Sequence, residues 1–161
     1  MQRSLGQSPD RMPLAALLLG ILGLIPFIAL PFLAIAQPEL AIPNWLGAHL
    51  TIPALLLYAA IILSFLGGVQ WGLAMATPAS ERIVLWRRYV VSVLPSLLAW
   101  FALFLGTRTG LFVLAVGFVL LLIYDIQSVR RGEAPLWYER LRLGLSTVVV
   151  LSISITLSFA L

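Results

Sequence analysis

Apolar residues run along this chain in five long blocks, separated by short breaks that carry nearly all of its charge: Pro13–Ala36, Leu50–Ala76, Tyr89–Leu105, Leu111–Ile126 and Leu143–Leu161. A helix rises about 1.5 Å per residue, so about 20 mostly apolar residues cross a hydrocarbon layer of about 30 Å. The pattern therefore predicts an all-α, polytopic membrane bundle of five transmembrane helices, forming one domain over residues 1–161. The third and fourth blocks are short. Trp86, Tyr89 and Tyr124 flank them as interfacial aromatic anchors of the kind that help a short span fit.

Composition agrees with the pattern. Of 161 residues, 61% are hydrophobic and 10% charged, where soluble domains carry about 25% charge; mean hydropathy is +1.07. There is no cysteine and one histidine, His49. Thiolate metal sites and disulfides are thereby excluded, and neither a metal nor a cofactor is expected. All ten basic residues are arginine, for a net charge of +4. They lie in short segments between apolar blocks, not on a soluble basic face, which argues against a nucleic-acid partner.

The arginines set an expected orientation. The amino-terminal tail, the second-to-third loop and the fourth-to-fifth loop hold nine of them, against Arg108 alone on the opposite side. Cytoplasmic loops carry the positive excess, so the amino terminus is expected in the cytoplasm, the carboxyl terminus outside, and the protein in the bacterial inner membrane. The first block ends in Ala34-Ile35-Ala36, a small-residue pattern like that of a signal-peptide cleavage site. Its apolar stretch is longer than a signal usually has and contains Pro26 and Pro31, which favours a retained helix. The connection Gln37–His49, with Pro38, Pro43 and Trp45, is expected to form a compact interfacial cap. Prolines 26, 31, 53 and 95 should each kink a span and free a carbonyl that neighbours must satisfy.

Candidate chemistry concentrates at the arginine-rich end. The stretch FLGGVQWG, Phe65 to Gly72, places Gly67, Gly68 and Gly72 for close helix contact, with Gly68 and Gly72 sharing a small-xxx-small face. Gln70 lies within the hydrocarbon depth of the second span and needs a partner there. Its neighbour Trp71 reads as an interfacial ring. Asp125 ends the fourth span and is expected to pair with Arg87, Arg88, Arg130 or Arg131, or to meet a substrate at the mouth. Leu136, Trp137 and Tyr138 read as part of a segment lying along the membrane surface, with its arginines facing water or anionic lipid. In the fifth span Thr147, Ser154 and Ser158 form one stripe near Gly144, expected to pack inward.

The elements FLGGVQWGLA (Phe65–Ala74), YDIQ (Tyr124–Gln127) and APLWYERLR (Ala134–Arg142) together resemble a bacterial integral-membrane family, domain of unknown function 3429, which has a mitochondrial relative named transmembrane protein 69. The resemblance implies a small multi-spanning protein and assigns no catalytic or binding residues. In size and span count the chain is also similar to the tryptophan-rich sensory and translocator proteins, but their proline-tryptophan signatures are missing.

No HExxH, GxSxG or phosphate-cradling loop is present, so no enzymatic activity is expected. Two readings remain. One is a bundle that binds or transports a small hydrophobic molecule or lipid, with Gln70, Trp71, Asp125, Trp137 and Tyr138 as candidate ligand-binding residues. The other is a structural or assembly subunit, joined through the glycine face to a membrane protein partner or to a second copy.

Overall fold

In the computed structural model of the chain, residues 12–40, 48–76 and 82–160 are described. They form six helices: α1 Leu14–Leu22, α2 Ile25–Leu40, α3 Ala48–Ala76, α4 Arg82–Ala102, α5 Thr107–Arg130 and α6 Leu136–Phe159. There is no strand among the described residues. Five spans are long and apolar enough to cross a membrane, with α1 and the first part of α2 together forming the first. The expected cap falls largely on residues outside those described.

Of the boundaries that differ from the sequence expectation, three have a local reason. The third span starts at Arg82 and not near Tyr89, because Arg87 and Arg88 continue the helix, arginine being a good helix former. The fifth starts at Leu136, directly after Pro135 with its extended φ −68°, ψ 150°. Leu136–Arg142 is thus the first two turns of a span, not a segment lying along the surface. The first span is broken at Gly23–Leu24, just before Pro26. A proline lacks the amide hydrogen and clashes with the preceding turn.

Carbonyls at the break and before Pro31 find side-chain donors. Tyr58 OH donates to Gly23 O at 2.9 Å, at the break itself. Pro31 cannot donate to Phe27 O, and Ser152 Oγ on α6 donates to that carbonyl instead. Both bonds tie the first span to the rest of the bundle, and Phe27, 1% exposed, sits edge-on to Tyr58 and Phe118. The core runs from there through Leu55, Ala59, Leu63, Leu114, Phe118 and Ile153.

Helices α3, α4 and α5 approach through glycine, but not through the expected pair. A Cβ on Gly67 would lie 2.5 Å from Ser92 O of α4, one on Gly110 2.6 Å from Ala102 O, and one on Gly117 2.8 Å from Leu98 and 2.9 Å from Leu63. At Gly68 and Gly72 a Cβ would meet nothing within 4 Å. These two glycines therefore make no close contact within the chain. Successive helical residues differ by about 100°, so the face that contains Gly67 is inside and the Gly68–Gly72 face is outside. The hydroxyl stripe is rotated in the same way. Thr147, Ser154 and Ser158 are exposed, while Ser146, Ser152 and Thr156 are buried. The outward Thr147 and Ser158 bond to their own helix, at Leu143 O (2.8 Å) and Ser154 O (3.0 Å).

Gly67→Ala should destabilise the folded chain by about 1–3 kcal/mol, because the Ser92 carbonyl is backbone and cannot step aside cheaply. Gly68→Ala should be neutral or stabilising by up to about 1 kcal/mol, since alanine is the better helix former. Denaturant unfolding in detergent micelles measures both, and equal costs at the two positions would contradict the packing described here.

Candidate functional site

Four helices each bring a polar side chain to one level of the bundle. Gln70 stands six residues before the end of α3, Asp125 five before the end of α5, and Arg88 and Arg142 six after the starts of α4 and α6. By the helical rise all four lie about 8–9 Å inside the helix ends. That end of the bundle carries the arginine-rich loops.

Asp125 is 1% exposed, Arg142 4% and Gln70 5%. Charges so deep are tolerable only when paired and hydrogen-bonded. Here each carboxylate oxygen of Asp125 has its own donor: Gln70 Nε2 gives to Oδ1 and Arg142 Nε to Oδ2. One aspartate thus joins α3, α5 and α6. The expected partners are elsewhere, which corrects that reading. Arg88 Nη2 meets Glu133 Oε1 at 2.9 Å, Arg131 bonds Gln127 at 2.7 Å, and Arg130 is exposed. Arg87 approaches Glu133 only at 3.9 Å, as does Arg131.

Glu133 owes its position to the end of α5. Gly132 adopts φ +71°, Glu133 N donates to Ser128 O and Gly132 N to Val129 O, both at 2.9 Å. This is a Schellman cap, in which a left-handed residue reverses the chain and occupies the last carbonyls. It aims Glu133 back across the bundle end at Arg88, and Pro135 then starts α6.

Beside the network, α1, α3 and α6 enclose a cavity of about 370 Å³. Its floor is the buried Phe27, Leu66, Phe118 and Val149, and exposed Leu19 and Phe65 flank its mouth. Trp137 and Tyr138 line it, as do Arg142 and Ser146. On three of these lining residues a polar atom, Tyr138 Oη, Arg142 Nη2 and Ser146 Oγ, is buried behind the wall with no hydrogen-bond partner among the described residues. Helix α1 buries none of its residues, and it approaches α6 at Gly20, where a Cβ would lie 2.8 Å from Leu145.

The structure brings Gln70, Asp125 and Tyr138 together and puts Trp137 on the cavity wall. Trp71 is separate: it is 44% exposed, packs on Tyr89 with ring centroids 4.7 Å apart, and lies outside the cavity. Sequence reasoning missed Arg142 and Ser146. The available signal was the spacing of Tyr138, Arg142, Ser146, Val149, Ile153 and Thr156, which holds one helical face across the presumed loop boundary.

Five apolar spans and a polar network enclosed among them define a multi-pass membrane protein. The chain belongs to the family described as "Protein of unknown function (DUF3429)", which it matches over residues 12–158. It is similar to Transmembrane protein 69 of Xenopus tropicalis, 38% identical over 149 residues that cover 88% of this chain and 53% of the relative. The chain thus spans about half the length of that curated relative. No solved structure matches it.

Asp125→Leu should destabilise the chain by about 3–5 kcal/mol, because Arg142 is left as an uncompensated buried charge. Gln70→Leu removes one hydrogen bond but keeps the ion pair, and should cost about 1–3 kcal/mol. Denaturant titrations of the two variants check the order, and a Gln70→Leu loss as large as that of Asp125→Leu would contradict it.

Proposed function

We propose that the chain is a binding or carrier protein, not an enzyme, that holds a small hydrophobic molecule or lipid between α1, α3 and α6. The observation that carries this reading is the cavity, whose size falls within the usual range of small-molecule sites. Its composition supports the reading too: the wall is almost wholly apolar, which suits a hydrophobic occupant. Asp125 has both oxygens engaged by Gln70 and Arg142, which suits a structural carboxylate better than an acid or base in turnover. Gln70 and Asp125 are accordingly supports of the site, with Trp137, Tyr138 and Arg142 at its wall.

The proposed location is the bacterial inner membrane, with the arginine-rich end in the cytoplasm, by the charge bias of the loops. A second reading, association with another membrane helix, is favoured by one observation: the Gly68–Gly72 face of α3 is open. Small residues of this kind let a partner backbone approach.

Native mass spectrometry of the gently purified chain tests the first reading. The wild type should carry a small molecule or lipid at fixed stoichiometry. Val69→Phe, which fills the cavity from α3, should lose it while retaining its helical circular dichroism. Equal occupancy in both would place the molecule elsewhere, and an empty wild type would favour the assembly reading.

A further inference from the structure

Another apolar recess, separate from the α1/α3/α6 cavity, runs between α4 and α5. Arg87, Val91, Leu94 and Leu98 recur every three or four residues on one face of α4, and all four line it. Its two parts, of about 440 and 560 Å³, meet at Val91. Leu120, Leu121 and Tyr124 of α5 form the facing wall. Leu94 and Leu120 are exposed, so the recess is a groove open to the lipid-facing surface. Its deep end lies at Leu98 and Gly117, where a Cβ on the glycine would come 2.8 Å from Leu98 and the two helices close together. From Arg87 to Leu98 the helical rise gives about 16 Å, close to the roughly 15 Å of hydrocarbon in one leaflet. The groove therefore has the length of a single acyl chain.

Its shallow end is basic. Arg87 lines the groove there. The Arg131 guanidinium lies over the Tyr124 ring, 5.7 Å from its centroid, a cation–π contact that sets it above the α5 wall. Glu133 stands between the two arginines, 3.9 Å from each. That is too long for a hydrogen bond, and Glu133 is engaged by Arg88 at 2.9 Å. The Arg87 side chain is half exposed and that of Arg131 about one-third. Two accessible guanidinium groups thus flank the mouth of an apolar groove. Arginine matches a phosphate through paired N–H donors. A zwitterionic head would bring its own cation against them, whereas a net negative head complements them.

We propose that the groove between α4 and α5 seats one acyl chain of an anionic phospholipid, with its phosphate held by Arg87 and Arg131. Val91 and Leu94 then contact the chain, and Glu133 is a positioning residue that keeps the two guanidinium groups at the groove mouth.

The full chain in detergent micelles is titrated with phosphatidylglycerol and phosphatidylcholine of identical acyl chains, and bound lipid is counted by native mass spectrometry. Phosphatidylglycerol should bind about tenfold tighter. Arg87→Gln combined with Arg131→Gln should abolish that preference. Arg140→Gln, at an exposed arginine outside the groove, should keep it. Val91→Phe, which fills the groove where its two parts meet, should weaken both lipids, while Val69→Phe in the α1/α3/α6 cavity should leave both unchanged. Helical circular dichroism is matched across the variants.

Equal affinity for the two lipids would overturn the phosphate recognition. So would a loss on Arg140→Gln as large as that of the paired variant, since it would mean diffuse attraction to the whole basic end. Phosphatidylglycerol binding that survives Val91→Phe would remove the groove from the account. Binding lost only with Val69→Phe would place the lipid in the α1/α3/α6 cavity, which overturns this site and supports the other.

Discussion

The buried contact between Asp125 and Arg142 is the constraint on which the arrangement of this bundle depends. Within a membrane there is little hydrophobic force between helices, so their relative placement comes from close packing and polar contacts. Here an aspartate from α5 takes one donor from α6 and one from α3, almost wholly out of contact with solvent. Removing either charge strands the other in an apolar surrounding, whereas the pair together is tolerated. That asymmetry holds three helices in register at one level.

The rest of the site follows from chain geometry around that contact. Gly132 and the Schellman cap end α5 and send the chain back, so that Glu133 meets Arg88 and α6 begins at Leu136. Starting α6 there puts Arg142 at the depth of Asp125. On the far side of α6, the break at Gly23–Leu24 separates α1 from α2. Ser152 and Tyr58 hold the α2 side of that break in the core, while α1 stands off and leaves a cavity beside Arg142.

Much of this was legible in the sequence, and the misses have physical causes. The five apolar blocks, the need of Gln70 for a partner and the crowding of polar groups at one end follow from composition and rise per residue alone. Proline-freed carbonyls were also predictable, as Phe27 O illustrates. Arg142 was not legible as an interior residue, because an arginine beside Arg140 reads as loop when only local hydropathy is weighed. Which face of α3 or α6 turns inward was equally beyond local reading: Gly67 and Gly68 differ by one residue, yet one touches Ser92 O and the other is open. Only tertiary packing decides such a rotation, since both faces are equally apolar. The neighbours of Asp125 were misassigned for a related reason, as nearness in sequence favoured Arg130 and Arg131 over a residue on the next helix.

A double-mutant cycle on Asp125→Leu and Arg142→Leu, followed by reversible unfolding in micelles, tests the central claim most directly. If the two charges stabilise the bundle as a pair, the double variant will be less destabilised than the sum of the single ones by about 2 kcal/mol or more. Additive losses would mean that each side chain acts alone, and the contact would not be what holds α5 and α6 in register.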